Sequence, residues 1–199
     1  MPNGDFFALI SRMRYIERWG LMRNALPENI QEHSHMVAVF AHALGVIRRD
    51  VFGVPCDPDK CAVAALYHDA SEILTGDLPT PIKYHNAEIM AAYHQVENLA
   101  SEKLINMLPV ELRSAYEPYI TGEVAQSLHP LVKAADKLSA LVKCIEERKA
   151  GNNEFLSAEE QTRKKLESSP LPEVQYFLTH FIASFEKSLD ELDMMEEDK

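Results

Sequence analysis

His68 and Asp69 lie side by side within an apolar stretch of the chain, and Glu72 follows shortly after. An ionisable group buried without a partner is costly, so a buried imidazole next to a carboxylate is usually paired or binds a metal. The apolar periodicity of residues 62–74 predicts a buried helix. On such a helix the i+3 and i+4 spacings would place Glu72 on the same face as His68 and Asp69. That face would offer an imidazole nitrogen, a carboxylate oxygen and a second, free carboxylate.

Two further candidate ligands, His33 and Asp136, occupy similar helical settings elsewhere in the chain. Two imidazoles and two carboxylates suit a divalent Mn, Fe, Co, Ni, Cu or Zn ion better than Ca²⁺. A buried hydrogen bond between His68 and Asp69 is the alternative for the dipeptide by itself, but the two added candidates favour a metal. Three helices would then supply the ligands, with Glu72 one turn further on as an acid or base.

The overall composition limits the possible classes of protein. A chain of 199 residues predicts a single domain, and a net charge of −11 argues against broad nucleic-acid binding. No apolar run approaches the roughly 20 residues of a membrane span, and the N-terminus does not resemble a signal peptide. Three cysteines without a CxxC pair suggest a reducing compartment. We therefore expect a cytoplasmic protein that binds neither membranes nor nucleic acid.

Repeated 3.6-residue apolar periodicity, without convincing alternating strands, predicts an all-α fold. The predicted helices span residues 5–16, 29–49, 58–74, 86–107, 109–118, 127–149, 153–168 and 172–192. Two prolines within residues 75–81 predict a rigid, non-helical loop there. The whole of residues 1–199 is expected to form one domain, with residues 190–199 as a flexible acidic tail.

The pattern formed by His33, His68-Asp69 and Asp136 resembles that of the HD-domain phosphohydrolases, an all-helical, metal-dependent superfamily. Further motifs are similar to those of the bacterial HD-domain 5′-deoxynucleotidases, the YfbR-like family. These motifs are Ile16-Glu17-Arg18-Trp19, Glu32-His33-Ser34, Tyr67-His68-Asp69-Ala70-Ser71-Glu72, Thr75-Gly76-Asp77-Leu78-Pro79-Thr80 and Ala150-Gly151-Asn152-Asn153-Glu154-Phe155. The resemblance extends over nearly the whole chain.

The resemblance implies an enzyme that removes the phosphate from deoxyribonucleoside 5′-monophosphates, and a homodimer. It assigns the divalent metal to four residues: His33, His68, Asp69 and Asp136. Glu72 becomes the acid–base residue. Arg18 is expected to meet the phosphate, Trp19 to lie near the sugar, and Asp77 to bind a sugar hydroxyl. An arginine fork suits phosphate oxygens, and an indole forms a flat, bulky wall.

Other interpretations stay open at this point. Arg18 and Trp19 also suit a surface arginine beside a tryptophan that anchors the core, and Asp77 suits a turn. The chain could be another HD-domain phosphohydrolase, acting on a cyclic nucleotide, a nucleoside triphosphate or an alarmone. It could also be a non-catalytic nucleotide-binding sensor, although such a protein would not need Glu72.

Overall fold

The computed structural model describes residues 4–83, 85–122, 124 and 128–192 of the chain. Within these residues the regular structure is helical, and the one sheet-like pairing is an isolated antiparallel bridge. The α-helices are α1 Phe6–Ile10, α2 Ile30–Val46, α3 Pro58–Tyr67, α4 Glu72–Thr75, α5 Thr80–Lys83, α6 Ala87–Asn106, α7 Val110–Ile120, α8 His129–Lys149, α9 Leu156–Glu167 and α10 Pro172–His180. The predicted all-α fold is confirmed. No helix among the described residues is both long and apolar enough to cross a bilayer.

Side-chain caps set the starts of the two helices that lead to the candidate ligands. The Asn29 side chain accepts a hydrogen bond from the backbone N–H of Glu32 at the start of α2. Asp57 does the same for Lys60 at the start of α3, where Pro58 occupies the first turn. Both caps satisfy backbone donors that a helix cannot pair internally.

Three predicted boundaries are wrong. The helix predicted over residues 58–74 is broken at residues 68–71. The segment Thr80–Lys83 is a short helix, although residues 75–81 were predicted to be non-helical; a proline near a helix start removes a donor that has no partner there. The helix predicted over residues 172–192 ends at residue 180. Two separate 3-10 turns follow it, over Ile182–Glu186 and Asp190–Leu192. The predicted tail beyond residue 192 lies outside the described residues.

No glycine or proline lies at the break after α10, and tertiary contacts hold the segment that follows it. The ammonium group of Lys149, at the end of α8, donates to the backbone carbonyls of Phe185 and Lys187 at 3.2 Å and 2.7 Å. The lysine satisfies these two carbonyl oxygens, so they do not need a backbone N–H partner from a continuous helix. Residues 182–187 therefore lie against the end of α8.

The main core lies where α2 packs against α3 and α8. Its fully buried side chains include Val37, Ala41, Leu44, Cys61, Ala65, Leu131, Ala135, Leu138 and Leu141. A second, smaller core joins α1 to α6 and contains Phe6, Ala70, Leu104, Ile105, Leu108 and Ile120. The first core holds in contact the three helices that carry or precede the candidate metal ligands.

The backbone of α2 comes close to the start of α3 at Gly45. A Cβ atom there would lie 2.9 Å from the Cα of Pro58 and 3.4 Å from the Sγ of Cys61. We expect Gly45→Ala to lower the free energy of unfolding by about 1–2 kcal/mol in urea titrations, because overpacking against backbone outweighs the helix propensity gained. Gly20→Ala is the matched control, since its Cβ would meet open space, and it should not destabilise. Equal stability of the two variants would contradict the tight contact.

Candidate metal centre and active site

A tight turn, rather than a helix face, brings His68 and Asp69 together. Across residues 68–71 the backbone bonds run to the third residue back. The N–H of His68 donates to the carbonyl of Ala65, and that of Glu72 to the carbonyl of Asp69. The prediction that these side chains share a face of one continuous helix is therefore wrong. Their proximity nevertheless holds, because the turn places the Nε2 of His68 3.1 Å from the Oδ2 of Asp69.

All four predicted metal ligands converge at one point. The ligand atoms of His33, His68 and Asp136 lie within 4.8 Å of one another. The Nε2 of His33 is 3.0 Å from the Oδ1 of Asp136 and 3.7 Å from the Oδ2 of Asp69. The cluster thus joins one residue of α2, two of the turn after α3 and one of α8.

Each of the two imidazoles is oriented by a contact of its Nδ1 atom, on the side of the ring away from the cluster. The Nδ1 of His68 donates to the carbonyl of Ala65 at 2.7 Å, so a neutral ring keeps its lone pair on Nε2. The Nδ1 of His33 lies 3.1 Å from the hydroxyl of Ser139. Both Nε2 atoms are buried, and they lie 3.0 Å and 3.1 Å from a carboxylate oxygen without meeting the geometry of a hydrogen bond within the described residues. Such fixed imidazoles, with their Nε2 atoms facing carboxylate oxygens, fit a divalent transition metal.

The charges of the cluster favour a cation. Burial by itself would lower the pKa of His68, but the carboxylate of Asp69 outweighs it and raises this pKa to about 9. Burial opposes ionisation of Asp69, yet His68, His33 and Arg18 lower its pKa well below the usual range. A metal would compete with the proton that His68 otherwise holds. The cluster is also open on one side, since His33 is fully buried whereas the side chain of Asp136 is 41% exposed.

Glu72 lies next to the cluster at the first residue of α4. Its side chain is buried, and its Oε2 has no hydrogen-bond partner within the described part of the chain. Burial, together with the negative charges of Asp69 and Asp77, raises the pKa of Glu72 to about 9. A carboxyl group held in its protonated form can donate a proton to a leaving group.

Arg18, which the family resemblance assigns to the phosphate, lies beside the predicted metal ligand Asp69. Its side chain is only 13% exposed, and its Nη1 lies 3.5 Å from the Oδ2 of Asp69. Burial by itself would lower the pKa of Arg18, but Glu28 and Asp69 outweigh it and raise this pKa. The guanidinium is thus a fixed positive charge at the edge of the cluster.

Trp19 and Asp77 are held against each other beside Arg18. Trp19 is the one non-glycine residue with positive φ, 61°, in the described part of the chain. Such a conformation costs about 1–3 kcal/mol and persists only where the surroundings enforce it. Burial raises the pKa of Asp77, and the guanidinium of Arg18 and the backbone N–H of Trp19 oppose that rise. Its indole packs edge-on against Phe155, with ring centroids 5.3 Å apart.

A cavity of about 430 Å³ opens beside His68, Asp69 and Asp136. Its other walls come from α5, α6, α8 and the segment after α7, and they include Lys83, His94, Glu97, Asn98, Thr121 and Lys133. Arg18, Trp19 and Asp77 are not among its lining residues. The cavity is large enough for part of a small organic molecule and has direct access to the ligand cluster.

Known proteins resemble this chain over nearly its whole length. The family model described as 5′-deoxynucleotidase YfbR-like matches residues 5–185. The chain belongs to the YfbR-like 5′-deoxynucleotidase family. The chain is 49% identical to a 5′-deoxynucleotidase of Erwinia tasmaniensis, over 96% of this chain and 98% of the relative. It is 47% identical to 5′-deoxynucleotidase YfbR of Shigella boydii serotype 18, over 96% and 97% of the two chains. The family predicted from the sequence is confirmed.

Solved structures agree on the fold of this YfbR-like protein. An HD-domain phosphohydrolase from Listeria innocua aligns with a TM-score of 0.79 at 24% identity, covering 91% of this chain and 88% of that one. An HD phosphohydrolase of cyanophage S-2L, bound to dA and one catalytic Zn²⁺, aligns with a TM-score of 0.59 at 24% identity, covering 92% and 96%. The predicted HD-domain fold is confirmed.

Two residues at the site of this YfbR-like protein were given no role from the sequence. Glu28 was not assigned a role, although it contacts both Arg18 and Trp19. His94 is 58% exposed and was given no role, yet it lines the cavity, where its Nδ1 lies 2.8 Å from Glu97. Local spacing does not predict the contacts of Glu28, because its partners Arg18 and Trp19 lie ten and nine residues away.

Proposed function

We propose that this protein is a metal-dependent phosphohydrolase that removes the 5′-phosphate from deoxyribonucleoside 5′-monophosphates. The observation that carries the proposal is the convergence of two buried imidazole nitrogens with two carboxylates, beside Arg18 and Glu72, whose pKa is raised. The names of the relatives support the substrate class. The cyanophage structure, with dA and one catalytic Zn²⁺, supports both a deoxynucleoside and a transition metal.

The metal would be held by His33, His68, Asp69 and Asp136. A divalent cation there would lower the pKa of water from 15.7 toward about 7 and polarise the phosphoryl group. The mixed nitrogen and oxygen ligands suit Co, Mn, Zn, Ni, Cu or Fe, and metal reconstitution decides among them.

Arg18 and Glu72 would supply the charge and the proton that phosphate release needs. The guanidinium of Arg18 offsets the negative charge that grows on the phosphoryl oxygens. When the bond between phosphorus and the 5′-oxygen breaks, the protonated carboxyl of Glu72 gives its proton to that oxygen. The oxygen of water forms the new bond to phosphorus, and the proton that it releases restores Glu72.

Trp19 and Asp77 would set the preference for deoxyribose. If Arg18 fixes the phosphate and Asp77 accepts a hydrogen bond from the 3′-hydroxyl, the nucleotide is held at two points. The indole of Trp19 then lies near the 2′ carbon and excludes a 2′-hydroxyl by its volume. A clash discriminates more strongly than the loss of one small apolar contact.

Phosphate release from deoxy- and ribonucleoside monophosphates, measured with a panel of metals, tests the proposal. We expect the wild-type protein to prefer the deoxy substrates and a chelator to abolish release. Trp19→Ala should narrow the ratio of kcat/KM between deoxy and ribo substrates by about 10-fold or more, because the wall is gone. Arg18→Ala is the comparison, and it should slow both classes alike.

Two outcomes of this screen would count against the proposal. Equal cleavage of ribo and deoxy substrates by the wild-type protein would contradict the wall formed by Trp19 while leaving the hydrolase intact. Release only from a cyclic nucleotide, a triphosphate or an alarmone would favour another HD-domain activity, and nucleotide binding without turnover would favour a sensor. A homodimer and a cytoplasmic location remain predictions; light scattering of the purified protein tests the first.

A further inference from the structure

One carboxylate oxygen serves both residues that are proposed to hold the phosphate and the sugar. The Oε2 of Glu28 accepts a hydrogen bond from the Nε of Arg18 at 3.0 Å and from the indole Nε1 of Trp19 at 2.9 Å. The side chain of Glu28 is 15% exposed. A carboxylate acceptor makes stronger hydrogen bonds than a neutral one, so this pair of contacts is well suited to fix two side chains at once.

The backbone fixes Glu28 relative to the metal cluster. The N–H of Arg18 donates to the carbonyl of Glu28 at 3.0 Å, and the N–H of Ile30 donates to the carbonyl of Ile16, also at 3.0 Å. Glu28 therefore lies in a paired segment that leads directly into α2, which carries His33 in its second turn. The side chains that Glu28 orients therefore have a fixed position relative to the predicted metal ligand His33.

The contact determines which part of the Arg18 guanidinium is available. Nε is bound to Glu28, and Nη1 reaches a different partner, since it lies 3.5 Å from the Oδ2 of Asp69. That is the side on which a phosphate held by the metal ligands would lie. Glu28 also balances part of the positive charge of Arg18, so that the arginine is not drawn fully onto Asp69.

The same contact determines the orientation of the indole. Trp19 has a left-handed backbone at φ 61°, its ring edge meets Phe155, and its N–H is bound to Glu28. The apolar contact with Phe155 does not favour one orientation of the indole over another. The hydrogen bond from Nε1 is directional, so it selects one orientation. Without that bond, neither the ring nor the unfavourable backbone conformation would be held as firmly.

We propose that Glu28 is a positioning residue that sets both the phosphate arm of Arg18 and the sugar wall of Trp19. The inference rests on the proposed function, because it takes from it the roles of those two residues. Glu28 does not touch the substrate. It controls discrimination between deoxyribose and ribose by fixing the distance between the guanidinium and the indole.

Glu28→Gln tests the inference in the full-length, metal-loaded protein. The amide keeps the shape, but it loses the charge and accepts both donors poorly. We expect an unchanged metal content, a KM for deoxynucleoside monophosphates raised about 10-fold, and a deoxy-to-ribo ratio of kcat/KM lowered at least about 3-fold. Glu32→Gln makes the same charge change on an exposed side chain one turn into α2, and it should match the wild type.

Tryptophan fluorescence gives a second readout that does not depend on activity. Trp19 is the single tryptophan of the chain, so the emission reports on this ring alone. In Glu28→Gln we expect emission at longer wavelength and stronger quenching by acrylamide, while Glu32→Gln stays like the wild type. If Glu28→Gln does not fold, Glu28→Asp replaces it, since the shortened side chain keeps the charge but cannot reach both donors; the same changes are expected.

The outcomes separate this inference from the proposed function. A wild-type protein that releases no phosphate from any deoxynucleotide would refute the proposed function, and with it the roles on which this inference depends. An active wild type, with a folded Glu28→Gln or Glu28→Asp whose substrate ratio and fluorescence are both unchanged, would overturn the role of Glu28 alone. Equal losses in Glu28→Gln and Glu32→Gln would also overturn it, because they would reflect charge and not position.

Discussion

Replacing His68 by alanine is expected to remove the bound metal and to reduce phosphate release by about 10³-fold or more. His68 supplies one of two imidazole nitrogens to the cluster, where its Nε2 lies 3.1 Å from the Oδ2 of Asp69. Loss of the metal removes several kcal/mol of stabilisation from the transition state, at tenfold in rate per 1.36 kcal/mol. Asp136→Ala should behave in the same way. Metal content by elemental analysis, measured alongside activity, checks both.

His42→Ala is the matched control for the loss of an imidazole. His42 is on α2 like His33, but its side chain is 48% exposed and its Nε2 lies 3.4 Å from Asp59 at the surface. We expect this variant to keep both metal and activity. A His68→Ala protein that is free of metal and still fully active would show that the cluster is not the catalytic centre.

Replacing Glu72 by alanine or glutamine is expected to lower kcat by about 10²–10⁴-fold while metal and substrate still bind. Glu72 is buried beside the cluster with a pKa raised to about 9, so it carries the proton that the leaving 5′-oxygen needs. Glutamine resembles the neutral carboxylic acid in shape and should preserve the packing around α4. Steady-state kinetics and metal analysis of each variant provide the measurement.

The leaving group provides the internal control for Glu72. An aryl phosphate with an acidic phenol needs little protonation on departure, so the variants should lose much less activity on it than on a deoxynucleotide. Equal losses on the two substrates would indicate that Glu72 positions water and does not protonate the leaving group. Loss of the metal from Glu72→Gln would instead make Glu72 a ligand.

The sequence by itself predicted the candidate ligands, and it determined the class of the fold. His33, His68, Asp69 and Asp136 could be selected because an ionisable residue within an apolar helix needs a partner, and this requirement is visible in the local pattern. The start of α3 was also predictable from the sequence. Asp57 accepts a hydrogen bond from a backbone N–H of the first turn, and Pro58 has no N–H that would need a partner there. Properties that depend on neighbours in sequence were therefore accessible without the structure.

Only the tertiary structure decided how those residues meet. The turn at residues 68–71 interrupted the predicted helix, and α10 ended at residue 180, before a segment that accepts a hydrogen bond from Lys149 at Lys187. The position of Glu28 under Arg18 and Trp19 depends on pairing across a loop. Periodicity records which side of a segment is apolar, but hydrogen bonds between distant segments override local propensity and leave little trace in either segment alone.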